Sequence, residues 1–397
     1  MRPRLYIDDT RQRIRNGHPW VYDNQVLRTE GALEPGGIVQ VFDVKKGPIG
    51  QAYVNPKSKI RARVLTKDLD EPIDAAFFRR KIAAAWAHRR RMGQPESCRV
   101  VFGEADGLPA LVVDRFCEAG TDDPGVLVIQ TLALGMDRFK AEIVQALRDV
   151  LAPRGVYERN DVPVREKEGL DQRKGFIGEA FDTDLVIAEN GLRIAVDVAG
   201  GQKTGHFHDQ RLNHAAMALI SKGARVLDCF THTGGFALHA AKYGAADVLG
   251  LDISTEAVGL ATRNAEANGL QDRCRFEAAN VFDFLTGASK QGRQWDVIVL
   301  DPPAFAKSRA ALDGAIRGYK EINLRALKCL PPGGFLVTCS CSQHLTPDLF
   351  RGMVADAARD AHRELREIHY GTQPPDHPIH WAIPETLYLK CLVLQAL

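Results

Sequence analysis

Beyond residue 210 the chain alternates apolar runs with amphipathic stretches so regularly that few architectures remain open to it. The runs "ARVLDCF", "DVLGLDI", "CRFEAAN", "WDVIVLDPP" and "GFLVTCS" are almost continuously apolar. Each is followed by a helical stretch, among them "TEAVGLATRNAEANG" and "YKEINLRALKCL". A strand that is apolar on both faces must be covered on both faces, and strand–helix units achieve this by winding helices over a parallel sheet. The pattern predicts an α/β, Rossmann-like, doubly wound domain over 188–397. Its last run, "ETLYLKCLVLQAL", is extended and suits an edge hairpin. "IAENGLRIAVDV" reads as another hairpin, with Asn190-Gly191 as its tight turn.

The 397 residues are too many for one ordinary core. Residues 1–72 carry short β runs broken by Gly and Pro, such as "GGIVQVFD" and "IRARVLT", and predict a small β-rich domain. Residues 73–187 read as α+β. "DAAFFRRKIAAAWAHRRRM" is a helix with Phe77, Ile82, Ala85 and Trp86 on its apolar face. "CRVVFGEADGLPALVVDRF" reads strand, turn, strand, and "DRFKAEIVQALRDVLA" is an amphipathic helix.

Net charge is only +2, but it is unevenly placed. Residues 1–92 hold 19 Lys and Arg against 10 Asp and Glu, a balance of +9; the remainder holds 33 against 40, or −7. This asymmetry predicts a polyanion-binding end joined to a different machine. "RQRIRNGHPWVYDNQV" mixes arginines with Trp20 and Tyr22, a combination that suits RNA phosphates and stacked bases, although Trp20 serves equally well as a core anchor. "MRPRLYIDDTRQR" is charged from the start, and no apolar run approaches the ~18–20 residues of a membrane helix, so a cytoplasmic protein without membrane contact is expected.

Ligands of a doubly wound sheet sit at the carboxyl ends of its strands. Four features fall there in order. "VLDCFTHTGGF" at 226–236 is a strand, a turn and a helix start, in which Gly234 and Gly235 let a ligand approach the backbone. "GLDIS" at 250–254 places Asp252 to accept from ribose hydroxyls. "AANVFDF" at 278–284 places Asn280 near an adenine amine, with Val281 and Phe282 beside the ring. "DPPAF" at 301–305 ends the next strand in Asp301. Each is weak alone; the ordered set resembles the successive motifs of class I S-adenosylmethionine-dependent methyltransferases. The glycine fingerprint of NAD-binding dehydrogenases is missing.

"GGQKTGHFHDQR" at 200–211, "VFGEADGLPALVVDR" at 101–115, "RGVYERNDVPVREKEGL" at 154–170 and "RNGHPWVYDNQV" extend the resemblance over essentially the whole chain. It is to the ribosomal RNA large subunit methyltransferase I family. This resemblance implies an RNA-binding PUA domain, a middle domain and a Rossmann-like methyltransferase domain, making 5-methylcytosine in 23S rRNA from S-adenosyl-L-methionine. It implies cofactor contacts from Gln210, Arg211, Asp228, Phe230, Gly234, Gly235, Asp252, Ile253, Asn280, Val281 and Asp301. Family members are often dimeric.

Carbon 5 of cytosine needs help to take a methyl group, and a thiolate adding to carbon 6 provides it. Eight cysteines are present without the spacing of a disulfide framework or a zinc site. "VTCSCSQH" at 337–344 ends a strand with two of them. Cys339 lies within the apolar run and Cys341 at its exit, and the family's Ser-Cys-Ser matches Ser340-Cys341-Ser342. Cys341 is therefore assigned as the nucleophile and Cys339 as a packing residue. Asp301 is assigned to stabilise charge on the cytosine ring, with a strand-end cap as the plainer alternative. The second cysteine that another group of 5-methylcytosine enzymes carries after its proline is absent from "DPPA". His206, His208 and Asp209 in "GHFHDQR" have metal-ligand types, but the resemblance makes this loop a cofactor lid, and no metal is expected. Two rival readings are an exocyclic-amine methyltransferase, which needs no cysteine, and a non-catalytic RNA-binding assembly factor.

Overall fold

The structure is a computed structural model that describes residues 2–305 and 309–397. The chain divides into two compact units. The first comprises Met1–Ile187, Val196–His208 and Pro375–Thr386; the second comprises Ala188–Ala195, Asp209–Pro374 and Leu387–Leu397.

Two sheets build the first unit. Six strands between residues 4 and 66 form one of them, and alternation along Ile38–Asp43 buries Val39, Val41 and Asp43 while their neighbours stay half-buried. Leu5, Ile7, Val21, Val39, Val41, Ala52 and Val54 make its core. The helix Ala75–Arg91 follows, capped by Asp74, whose carboxylate accepts from Phe77 N at 3.0 Å. It buries Phe77, Phe78, Ile82 and Ala85 together with Ile143, Val144 and Leu147 of the helix Lys140–Leu151, over a five-stranded sheet. Asp184–Glu189 and Leu192–Asp197 form a hairpin shared by the two units. Its turn has Asn190 and Gly191 both at positive φ (48° and 76°), the geometry that the right-handed twist of the strands favours.

The second unit holds the doubly wound sheet. Its strands are β1 (Arg225–Cys229), β2 (Asp247–Asp252), β3 (Cys274–Ala278), β4 (Val297–Leu300), β5 (Phe335–Ser340), β6 (Leu365–Gly371) and β7 (Lys390–Ala396). Their order is β3-β2-β1-β4-β5-β7-β6. The first five are parallel, and β7 runs antiparallel to both β5 and β6. Helices α1 (Gly235–Lys242), α2 (Thr255–Ala267), α3 (Val281–Lys290), α4 (Leu312–Lys328) and α5 (Pro347–Asp360) connect the strands. Order reverses between β1 and β4, which opens a crevice at their carboxyl ends. The closing run pairs antiparallel with β6 at the sheet's edge, in keeping with the expected edge hairpin; β6 takes the edge, and β7 is inserted between β5 and β6. Six of its seven residues are buried, and only an interior strand can be covered so fully. No described helix is long and apolar enough to cross a membrane.

Candidate active site

The turn after β1 has a costly backbone. Phe230, His232 and Gly234 all have positive φ, at 64°, 50° and 92°. The left-handed region costs a non-glycine residue roughly 1–2 kcal/mol, and such strain collects where a site needs it. Two carboxylates hold the turn. Asp228, fully buried at the end of β1, accepts from Thr231 Oγ1 (2.6 Å) and from Ala237 N (3.0 Å), while its Oδ1 has no partner. Burial pushes its carboxyl up to about 7, and the charge of Asp252 adds to the push. Asp252, at the end of β2, accepts from His232 N (2.9 Å) and Ser254 N (3.0 Å). Beside it Ile253 is 76% exposed.

Gly234 and Gly235 have internal reasons to be glycine. A Cβ on Gly234 would lie 3.2 Å from Leu238 and 3.3 Å from the Phe276 ring, and one on Gly235 would lie 2.6 Å from His214 Nε2. His214 cannot yield easily, because its Nδ1 bonds Glu189 Oε1 at 2.7 Å and its ring stacks on His239 at 5.0 Å. Sequence reasoning missed this buried Glu189–His214–His239 group. Its three residues lie on separate elements, and only their assembly beneath Gly235 gives them a common purpose.

Ala279 N donates to Asp252 O (2.8 Å), which draws the next loop to the end of β2. Asn280 caps α3, its Oδ1 accepting from Phe282 N and Asp283 N at 2.9 and 3.4 Å. The oxygen that an adenine amine would meet is thus already the helix cap. Val281 is 3% exposed, with its side chain in the core of the sheet, so only its backbone faces outward.

Asp301 follows β4 directly and accepts from Gln210 Nε2 at 2.9 Å; Gln210 Oε1 in turn accepts from Asn213 Nδ2 at 2.6 Å. Gln210 and Arg211, both largely buried, open the short helix Arg211–Ala216. The cysteines of β5 occupy different surroundings. Cys339 is fully buried opposite Cys391 of β7. Burial pushes its thiol well above the ordinary range, and Cys391 and the charge of Asp301 push the same way. Cys341, one residue past the strand, is half-buried, whereas the other seven cysteines are buried.

Two matching family models fit this geometry: a PUA-like domain over residues 8–67 and an S-adenosylmethionine-dependent methyltransferase over residues 171–393. Curated relatives named ribosomal RNA large subunit methyltransferase I align almost end to end. The protein from Klebsiella pneumoniae is 40% identical, covering 98% of this chain and 97% of its own. That from Photobacterium profundum is 42% identical, covering 97% of each chain. The chain belongs to the ribosomal RNA large subunit methyltransferase I family. A solved Streptococcus mutans protein described as a SAM-dependent methyltransferase shares the fold, with a TM-score of 0.83, 18% identity and 99% coverage of both chains.

Members of this methyltransferase family use S-adenosylmethionine, and the residues present fit it. The strained turn lines up backbone groups at the end of β1, Asp252 stands at the end of β2, and Ile253 offers an apolar surface beside it. Two further residues escaped the sequence reading. Tyr319, buried on α4, bonds Ser342 Oγ (3.2 Å) and accepts from Ser340 Oγ (3.1 Å), clamping both serines that flank Cys341. Lys390 of β7 is 1% exposed and donates to the carbonyls of Ser342 and Tyr388, each at 2.7 Å. Burial pulls its ammonium down to about 8, while the neighbouring Cys341 pulls it back up. A lysine inside "LYLKCLVL" was the available signal, since lysine is almost never fully buried without a reason.

Proposed function

We propose that this family member methylates carbon 5 of a cytosine in 23S rRNA through a covalent bond to Cys341, using S-adenosyl-L-methionine. The observation that carries the reading is the placement of Cys341, the least buried of the eight thiols, at the exit of β5 between clamped serines and beside a buried lysine. The names of the relatives supply the ribosomal substrate, and the PUA-like match at 8–67 agrees with it.

In this reading the domains are 1–72 for RNA, 73–187 as the middle domain and 188–397 for catalysis, in a cytoplasmic protein. Asp252 and Ile253 hold the ribose and adenine, with Gln210, Arg211, Asp228, Phe230, Gly234, Gly235, Asn280 and Val281 shaping the remaining contacts. Bound S-adenosylmethionine supplies an electrophilic methyl group. Cys341 adds to carbon 6 as a thiolate, with the Lys390 ammonium stabilising the negative sulfur. Asp301, steadied by Gln210, hydrogen-bonds the cytosine amine or, when protonated, donates to the ring nitrogen on which negative charge builds as sulfur adds. Carbon 5 becomes nucleophilic and takes the methyl group. A base then removes the carbon-5 proton, and the electrons of that C–H bond restore the ring double bond and expel the Cys341 thiolate from carbon 6.

The test is to incubate the protein with labelled S-adenosylmethionine and unmodified 23S rRNA, then digest the RNA to nucleosides. Label should appear in 5-methylcytidine. Label in a methylated adenosine or guanosine would replace this reading with amine methylation, and RNA binding without any label would make the protein an assembly factor.

A further inference from the structure

Trp381 is 98% exposed, more than any other large apolar side chain among the described residues. It lies in Pro375–Thr386, a segment that belongs to the first unit although the chain on either side of it belongs to the second. The segment is well anchored. Asp376 is fully buried, accepts from Arg99 N at 3.1 Å, and offers its carbonyl to Arg89 at 2.7 Å. His377 and Ile383 are buried as well, and His380 Nδ1 accepts from Ala382 N at 3.2 Å. A turn pinned at both ends thus presents a whole indole to water.

Its neighbour is the arginine-rich loop near the N-terminus. The Cβ position of Gly17 lies 3.4 Å from Ala382 Cβ and 3.9 Å from His380 Cε1. His18 Nε2 bonds Glu385 Oε2 at 3.0 Å, and Arg13 lies 3.8 Å from the other Glu385 oxygen. That loop is itself fixed, because buried Asp9 accepts from Ile14 N and Arg15 N at 3.1 and 3.0 Å. Arg11 stands exposed on it, and the balance of charge over residues 1–92 is +9 (19 basic against 10 acidic). An exposed aromatic face beside an arginine-bearing loop suits nucleic acid: cations such as Arg11 meet the phosphates, and a flat ring takes a base that is not paired. Of the other three tryptophans, Trp20 and Trp86 are half-buried and Trp295 is 3% exposed, so no other indole can offer a whole face.

We propose that Trp381 is a stacking platform for an unpaired base of the RNA substrate, set beside the arginine loop of residues 11–18. The proposal rests on the RNA-substrate reading above and adds to it a second point of RNA contact, far along the chain from residues 1–92.

The experiment uses the full chain and an unmodified 23S rRNA transcript, measuring affinity over a salt series for wild type, Trp381→Ala and Trp381→Tyr. S-adenosylmethionine affinity and sedimentation without RNA are measured alongside. Loss of one stacked base should weaken Trp381→Ala by roughly tenfold to a hundredfold, while Trp381→Tyr stays within a few-fold of wild type. The salt slope should not change, since no phosphate contact is removed. Cofactor affinity should also be unchanged. Tight RNA binding that Trp381→Ala leaves intact would overturn the proposal alone. So would a wild-type dimer that this variant dissolves, because the indole would then be covered by a second copy. Failure of the wild type to bind the transcript would overturn the RNA reading and the proposal with it.

Discussion

Asp228 and Asp252 both end strands of the sheet, yet their surroundings give them different work. Asp252 latches two backbone N–H groups and remains half-exposed at the crevice. Charge-assisted bonds to ribose are worth ~1.5–3 kcal/mol each, so Asp252→Ala should weaken S-adenosylmethionine binding at least about tenfold in calorimetry; unchanged affinity would remove the residue from the site. Asp228 is enclosed, and burial raises its carboxyl from 3.8 to about 7. The folded state therefore keeps a proton that the unfolded chain has already released. The stability this contributes is fully present below about pH 4 and is lost as pH rises through about 7, on the order of 4 kcal/mol over that window. Asp228→Asn should flatten that part of the pH dependence of Tm, and an unaltered slope would contradict the assignment.

At the scale of elements, the start of α1 is locked to the short helix Arg211–Ala216. Gly235→Ala would drive a methyl group to 2.6 Å from a ring that Glu189 and His239 hold in place. Overpacking of this kind costs roughly 1–3 kcal/mol. A lower Tm is expected, partly restored when His214→Ala is added; no loss of stability would mean that the helix shifts freely. Elements also show what could be read in advance. Parallel strands and the helices between them were legible because both-face burial leaves a continuous apolar run, and the strand-end positions of Asp252 and Asp301 were legible because they close such runs. Tyr319 and Lys390 were not. Tyr319 looks like an ordinary member of its helix, and the lysine in the apolar run around Lys390 signals burial without saying what it serves, until α4 and β7 are packed around β5. Asn280 was read as a ligand contact because a polar residue after a strand suggests one, while its helix-capping geometry is equally local and has no need of a ligand.

For the whole molecule, the chain order misleads most about Pro375–Thr386, which leaves the second unit in sequence and joins the first in space. No periodicity in "PDHPIHWAIPET" announces such a return. The uneven charge, by contrast, was visible in composition and has a measurable consequence. RNA affinity should fall with salt by a logarithmic slope of about 0.7–0.9 per phosphate contact, and replacing exposed Arg11, Lys57 and Lys59 with Glu should flatten it; an unchanged slope would place the RNA elsewhere. The central claim is the bond between Cys341 and the base, and it has a direct measurement. With 5-fluorocytidine in the RNA, carbon 5 carries no proton to lose, so elimination of the thiolate is blocked after methyl transfer. Mass spectrometry of the digested complex should find the methylated, fluorinated nucleotide on the peptide containing Cys341 in wild type and in Cys339→Ala, and no adduct in Cys341→Ala. An adduct mapped to Cys339, or none in the wild type, would contradict it.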